Sequence, residues 1–167
     1  MPSDDNATDE RDIMKRLFLI ATFVCIHAAA VAQEQTMRVN NLVVCRMYDT
    51  QEQIFEAIGE QPDSIVPSQP FNESPNTYLF YFGDDYVEWV EGELYSIQLN
   101  TPRFAFNDKI RVGDNISKLA ELGGTLENVK NGLTMWYPDT HIEGLQTCFY
   151  YDETGKITII LAMINEL

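Results

Sequence analysis

Hydrophobic and polar positions follow a helical period in two places along this chain. The segment from Thr50 to Gly59 spaces its apolar side chains three and four residues apart, as one face of a helix requires. Thr50 can accept hydrogen bonds from the first free amides, and Gly59 suits the left-handed residue that ends many helices. The segment from Asp114 to Gly123 has the same layout. We therefore predict two short capped helices, one in each half of the chain.

Aromatic stretches with a two-residue period follow both predicted helices and indicate β-strands. Residues 79–82 lead into an acidic turn at 83–85, and residues 148–151 lead into a similar turn at 152–155. Strand-like positions continue after each turn, which is the pattern of antiparallel hairpins. The sequence therefore predicts two sets of antiparallel strands.

The order of a helix, a loop and antiparallel strands occurs twice, which indicates an internal repeat. We predict an α+β fold in which two helix-plus-antiparallel-strand repeats form one sheet, with the helices packed mainly on one face. Repeat one covers about residues 38–102, and repeat two covers about residues 103–167. Together they form a single domain, residues 38–167.

Residues 14–32 have the layout of a secretory signal peptide. Two cations precede an apolar run, and Ala30 and Ala32 satisfy the small-residue rule for cleavage before Gln33. The run is too short to span a membrane as a helix. The alternative is a cytosolic protein in which residues 17–32 form a buried apolar helix. Export predicts a soluble product in the periplasm or outside the cell.

The residues on either side of the signal segment complete the N-terminal organisation. Residues 1–13 are acidic, the reverse of the region that begins a signal peptide, and they indicate a disordered leader or a mis-called start before Met14. Residues 33–37 are expected to form a flexible start of the mature chain. Removing residues 1–32 takes away five acids and three cations, which changes the net charge from −15 to −13.

This acidic composition disfavours two classes of partner. A strongly negative surface repels nucleic acid and anionic membranes, so we expect neither as a ligand. A basic patch on another protein and divalent cations are compatible with the charge. Acidity that only keeps an exported protein soluble explains the same composition. We expect no transmembrane helix in the mature chain, and the oligomeric state stays open.

Two cysteines and one histidine remain after cleavage, which limits the chemistry of the mature chain. In an oxidising compartment Cys45 and Cys148 form a candidate disulfide, although both lie in apolar runs where a free cysteine packs as a small buried residue. Their spacing gives no zinc signature. Because His141 is alone, a histidine-rich metal site is excluded, and we expect no metal and no cofactor.

The repeated segments resemble a known class of exported bacterial domains. The resemblance rests on residues 50–59 with the following Pro62-Asp63, and on residues 112–123, which begin Val-Gly-Asp and end in glycine. It is a resemblance to the β-lactamase-inhibitor-protein-like fold, which small outer-membrane assembly lipoproteins of the SmpA/OmlA type share. It implies an α+β domain built from two repeats. Members of this class generally act by binding proteins on the sheet face.

Large aromatic side chains on the predicted strands are the best candidates for a binding surface. Tyrosine and tryptophan offer large contact areas with little loss of side-chain entropy. The candidates are Tyr86, Trp89, Tyr95 and Trp136. Each of them can instead belong to the core beneath the helices. We expect an exported, non-enzymatic protein that binds another envelope or extracellular protein through an aromatic sheet face.

An enzymatic function is the competing hypothesis. A small hydrolase or carbohydrate-active enzyme would use Asp85, Glu88 or His141 for acid–base chemistry. Strand alternation sends Asp85 and Glu88 to opposite faces, and no serine has the G-x-S-x-G setting of a nucleophile. The residues therefore favour binding over catalysis.

Overall fold

The structure is a computed structural model, and it describes residues 36–68, 77–139 and 143–164. These residues belong to one unit that runs from Gln35 to Leu167. The predicted leader, the signal segment and His141 fall outside the described residues.

Ten strands, one α-helix and one 3₁₀ helix make up the described part of the chain. In chain order the elements are β1 (Arg38–Val39), β2 (Leu42–Val43), α1 (Gln51–Ile58), β3 (Ser64–Pro67), β4 (Thr77–Phe82), β5 (Asp85–Val90), β6 (Glu93–Leu99), the 3₁₀ helix (Ile116–Glu121), β7 (Thr125–Lys130), β8 (Leu133–Tyr137), β9 (Leu145–Tyr151) and β10 (Ile157–Ile164). Because α1 has only eight residues, strands dominate the architecture.

One antiparallel sheet of eight strands contains β3 to β10, in the order β3-β4-β5-β6-β10-β9-β8-β7. The strands from β3 to β6 follow one another as a meander, and so do those from β7 to β10. The last strands of the two meanders, β6 and β10, pair at the centre of the sheet, where Leu99 lies opposite Ile160. A separate hairpin is formed by β1 and β2.

Tight turns set the register of neighbouring strands. Glu91 and Gly92, between β5 and β6, both have positive φ, 51° and 98°. A turn of this kind has the twist that antiparallel hairpins prefer. Gly132 closes the β7–β8 turn at φ 84°, and a Cβ there would come within 3.1 Å of the Tyr151 carbonyl oxygen. Backbone conformation and space therefore both favour glycine at this turn.

The first predicted helix is confirmed as α1. The Thr50 side chain accepts from the Gln53 amide at 3.4 Å. Gly59 has a φ of 91°, and its amide donates to the Phe55 carbonyl at 2.9 Å. The Phe55 ring meets Phe80 of β4 edge-on, with ring centroids 5.2 Å apart. Both caps and the apolar face of α1 therefore follow the sequence pattern.

The second predicted helix is wrong, because this segment pairs with the start of β10. The Gly113 amide donates to the Ile157 carbonyl at 2.8 Å, and the Ile157 amide donates to the Asp114 carbonyl at 2.9 Å. The Ile116 amide donates to the Gly155 carbonyl at 2.8 Å. These bonds hold the backbone out of the helical conformation where an α-helix would need its first turn. A short 3₁₀ helix follows instead.

The predicted α+β fold of two helix-plus-strand repeats is therefore wrong. The described chain is mostly β, with an eight-stranded antiparallel sheet, a two-stranded sheet and one short α-helix. The second apolar stretch reaches the core without an α-helix, since Leu119 is buried from the 3₁₀ helix and Leu122 from the residue that caps it. Apolar residues at helical spacing can therefore be buried without forming an α-helix.

The core lies between the sheet and the elements packed on one of its faces. It receives side chains from α1, from the β1–β2 hairpin and from residues 100–124. Phe106 meets the rings of Trp136 and Phe149 edge-on, at centroid distances of 5.6 and 5.7 Å. We call this side of the sheet the covered face and the opposite side the open face. The open face carries the candidate site.

Candidate binding face

The open face presents two rows of side chains that cross the sheet. Strand register places the members of each row opposite one another on neighbouring strands, where side chains interact directly. The first row contains Ser64, Tyr81, Tyr86, Gln98, Leu161, Cys148, Met135 and Glu127. The second row contains Val66, Leu79, Glu88, Ser96, Met163 and Gln146. The first row therefore takes one residue from each of the eight strands.

The open face carries two paired tyrosines on β4 and β5, in addition to Tyr137 on β8 and Tyr150 on β9. Tyr81 and Tyr86 lie opposite each other on β4 and β5, with ring centroids 5.5 Å apart. The Tyr86 hydroxyl donates to Gln98 Oε1 at 2.8 Å, and Gln98 Nε2 donates to Asn100 Oδ1 at 3.0 Å. These bonds fix the position of the Tyr86 ring. Burial, together with the charge of Glu88, raises the pKa of Tyr86, so its hydroxyl is a neutral donor at neutral pH.

Glu88 gives the open face a negative charge beside the tyrosines. It follows Tyr86 by two positions on β5, so the two side chains share a face about 7 Å apart along the strand. Glu88 Oε2 accepts from Ser96 Oγ at 3.2 Å. Glu127 adds a second carboxylate on β7, and neither row contains a lysine or an arginine. The charged groups of these rows are therefore all acidic.

The other half of the open face is apolar and rich in sulfur. Leu161 and Met163 lie on β10, Cys148 lies on β9, and Met135 lies on β8. Burial raises the pKa of the Cys148 thiol, so this side chain is neutral and packs like a small apolar residue. Methionine adapts its shape to the surface that it meets. This half of the face therefore suits an apolar contact.

The structure divides the predicted binding residues between the two faces. Tyr86 lies on the open face, whereas Trp89 and Trp136 lie on the covered face and are 9% and 0% exposed. The Trp89 indole donates to the Tyr48 carbonyl at 3.0 Å. The Trp136 indole donates to the Gly123 carbonyl at 2.7 Å. The two tryptophans are therefore core residues and do not share a surface with Tyr86.

Tyr95 lies at a β-bulge rather than in either row. Glu88 pairs with Ser96, and Trp89 pairs with Leu94, so β6 has one extra residue at Tyr95. A bulge of this kind interrupts the two-residue alternation of a strand. The sequence period therefore could not assign Tyr95 to a face.

Sequence reasoning missed most of the open face, although β10 contains a signal for it. A strand with one wet face alternates between apolar and polar residues. From Ile159 to Ile164 every residue of β10 is apolar, so the outward positions Leu161 and Met163 are apolar as well. This unbroken run is the signal that both faces of the strand make contacts.

Both described cysteines are free thiols. Cys45 follows β2, has a φ of 69°, and donates through its amide to the Leu94 carbonyl at 2.9 Å. Burial, together with Glu93, raises the pKa of its thiol. Cys148 lies on the open face of β9. The structure therefore does not join the pair that the sequence offers as a candidate disulfide.

The carboxylates of the enzymatic hypothesis lie on opposite faces, as strand alternation predicts. Asp85 is 1% exposed on the covered face. It accepts from the Asn100 amide at 2.6 Å, from the Thr101 amide at 2.8 Å and from the Thr101 hydroxyl at 2.6 Å. These bonds hold the chain where it leaves β6, which gives Asp85 a structural role. Glu88 lies on the open face, and His141 lies outside the described residues.

Other kinds of site have less support in the described chain. Within it, no group of three or more histidine, cysteine, aspartate or glutamate side chains is placed to hold a metal ion. No helix in these segments is long and apolar enough to cross a membrane. A surface cleft of about 400 Å³ lies between α1 and residues 46–49, where the Arg46 guanidinium lies over the Tyr48 ring at 5.7 Å. None of its lining residues belongs to the two rows of the open face.

Comparisons with known proteins assign no family. No protein-family model matches the chain, and no curated protein or solved structure matches it significantly. The resemblance to the β-lactamase-inhibitor-protein-like fold therefore stays a prediction. The function has to be argued from the open face itself.

Proposed function

We propose that this is a non-enzymatic binding protein that docks another protein on the open face of its sheet. The observation that carries the proposal is the first row, in which partly exposed tyrosine, leucine and methionine side chains cross the middle of the sheet beside the buried Cys148. A sheet face that meets only water carries mainly polar side chains. The described elements outside the sheet contribute their apolar side chains to the covered face. The apolar row on the other side is therefore best explained by a partner.

The size of the open face supports a protein as the ligand. Eight strands at a spacing of about 4.8 Å span about 34 Å across the sheet. A surface of this width can supply the ~800 Å² per partner that a stable protein complex buries. Tyr81 and Tyr86 would act as rigid aromatic anchors, and Leu161 and Met163 would fill the apolar part of the contact.

We propose further that the protein acts after export, in the periplasm or outside the cell. The support is the order of cations, apolar run and small residues in residues 14–32. The partner would then be an envelope or extracellular protein. The intact mass of the secreted protein tests this proposal, since cleavage after Ala32 leaves a chain that begins at Gln33. A protein that stays in the cytosol with its N-terminus intact would contradict it.

Site-specific photocrosslinking tests the binding proposal. A photoreactive amino acid at Tyr81 or Leu161 is expected to trap one partner protein in cells. The same amino acid at Leu126 is not, because this 43%-exposed residue pairs with Trp136 on the other side of the sheet. Mass spectrometry identifies the trapped protein. Equal crosslinking at all three positions, or none at Tyr81 and Leu161, would contradict the proposal.

The Leu161→Lys variant gives a quantitative readout of the same proposal. A charge in the middle of the apolar row is expected to weaken binding of the crosslinked partner by about tenfold or more. Leu126→Lys is the matched control and is expected to bind as wild type does. Equal unfolding midpoints show that both variants fold. Wild-type affinity in Leu161→Lys would mean that the open face is not the site.

A further inference from the structure

We infer that the open face binds a basic side chain of its partner, lysine or arginine, between Tyr81, Tyr86 and Glu88. We call these three residues the cation subsite. The inference rests on the proposed function and adds to it the chemistry of the partner. It follows from the placement of two aromatic rings and a carboxylate on the same part of β4 and β5.

The geometry of the subsite is set by the β4–β5 pairing. Tyr81 lies directly opposite Tyr86, and Leu79 lies directly opposite Glu88. The Tyr86 ring is held by its hydrogen bond to Gln98, so its position does not have to be ordered on binding. Two rings and one carboxylate therefore line a patch of the face, with Leu79 next to Glu88 in the second row.

Glu88 has acceptor capacity beyond its contact in the chain. An ionised carboxylate offers about four acceptor positions on two oxygens. The hydrogen bond from Ser96 is made to Oε2 at 3.2 Å, which is long for a hydroxyl donor. An ammonium or guanidinium group would form a shorter, charge-assisted bond to the same carboxylate. Glu88 is therefore suited to receive a cation.

The aromatic rings favour the same kind of ligand. A cation over the face of a tyrosine is attracted by the ring quadrupole, and the attraction grows when water is excluded. The negative charge of Glu88 already acts on Tyr86, where it contributes to the raised pKa of the phenol. An anionic ligand would be repelled by Glu88 and by the net charge of −13 that remains after cleavage. The patch thus discriminates between basic and acidic partners.

The partner is another protein rather than a second copy of this chain. Two copies, each with a net charge of −13 after cleavage, repel each other. Arg38, Arg103 and Lys118 are already engaged in ion pairs within the chain. Exposed lysines such as Lys130 are outside these ion pairs, so charge repulsion is what disfavours a second copy. A basic segment of a different protein meets no such repulsion.

The neighbouring apolar residues define the spacing that the partner needs. Glu88 and Met163 are separated by two strand intervals through Ser96, which is about 10 Å. A segment in the polyproline II conformation has three residues per turn and a rise of about 3.1 Å, so it places two side chains three residues apart on the same side at about this distance. The expected partner therefore presents a lysine or arginine about three residues from a large apolar side chain.

Synthetic peptides test the inference directly. The probe is a fluorescent peptide in which arginine and leucine recur at this spacing, compared with the same peptide carrying citrulline in place of arginine. Citrulline keeps the shape of arginine and removes the charge. We expect the arginine peptide to bind about tenfold more tightly by fluorescence anisotropy, and this preference to shrink at high salt.

The Glu88→Gln variant tests whether the preference for the arginine peptide depends on the Glu88 carboxylate. The glutamine side-chain oxygen can still accept the hydrogen bond from Ser96, so the variant is expected to fold as wild type does. This variant should lose most of the preference for arginine and should bind the citrulline peptide as wild type does. Glu153→Gln, in the exposed turn between β9 and β10, removes the same charge elsewhere and should keep the preference.

The possible failures of the two proposals are distinguishable. Equal losses in Glu88→Gln and Glu153→Gln would mean that only net charge attracts the peptide, and would overturn the cation subsite. Equal binding of the arginine and citrulline peptides would overturn it as well. A dimer in sedimentation velocity that Glu88→Gln dissociates would assign the face to a second copy, again overturning the inference. In each of these cases the proposed function stands as long as Leu161→Lys weakens binding of the crosslinked partner and Leu126→Lys does not.

Discussion

The two faces of this sheet use aromatic side chains in opposite ways. On the covered face, Trp136 is 0% exposed and packs edge-on against Phe106. On the open face, Tyr81 and Tyr86 lie side by side, and the Tyr86 hydroxyl donates to Gln98. Residues of similar size thus serve the core on one side and present contact area on the other. The aromatic content of a strand therefore says little about binding until the face of each residue is known.

Adjacent residues of β8 give the sharpest test of this comparison. Trp136→Ala is expected to lower the free energy of unfolding by about 3–5 kcal/mol, because it opens a cavity in the core and removes a buried hydrogen bond. Met135→Ala, one residue away on the open face, should cost less than about 1 kcal/mol. Chemical denaturation measures both. Equal costs would show that the two faces are equally buried.

The first residue of β5, Asp85, and the preceding Asp84 extend the comparison of buried and exposed positions to polar side chains. Asp85→Asn is expected to cost about 1–3 kcal/mol of unfolding free energy, because it weakens charge-assisted bonds from Asn100 and Thr101. Asp84→Asn changes an exposed residue and should cost less than about 0.5 kcal/mol. Urea denaturation checks both variants. A mild effect of Asp85→Asn, no larger than that of its neighbour, would contradict the structural role assigned to Asp85.

Alkaline pH gives the smallest expected effect and reports on the open face. The pKa of Tyr86 is raised in the folded state, so folding favours the protonated phenol. The stability that this group contributes is fully present below its unfolded pKa of about 10 and is lost as pH rises through the higher folded pKa. Tyr86→Phe should therefore flatten the alkaline decline in unfolding free energy. The prediction would be wrong if Tyr86→Phe left the alkaline decline in unfolding free energy unchanged and removed no phenol that titrates at high pH in the absorbance titration.

Local interactions explain which elements could be predicted. The Thr50 cap and the Gly59 stop depend on contacts within a few residues, so α1 could be predicted from its own sequence. The alternation that places Asp85 and Glu88 on opposite faces is local as well. The second helix could not be predicted in the same way, because residues 113–116 bond to residues 155–157. Long-range backbone pairing overrode a helical pattern there.

The candidate site shows the same limit. Trp89 and Tyr86 lie three residues apart on one strand and therefore face opposite sides. The sequence indicated that they differ in face, but not which face the rest of the chain would cover. The bulge at Tyr95 further breaks the period on which such an assignment relies. For these reasons the predicted aromatic surface mixed core and surface residues.

The sequence by itself determined local features of this protein: the alternation within strands such as β5, the caps of α1, the tight turns and the acidic charge. The tertiary structure alone decided which side of the sheet is covered. That choice depends on the central pairing of β6 with β10 and on the packing of residues 100–124 against Trp136 and Phe149. Both contacts join residues far apart in the chain, and their energy comes from packing rather than from local propensity. The role of Tyr81 and Tyr86 as surface residues therefore follows from the fold and not from the strands alone.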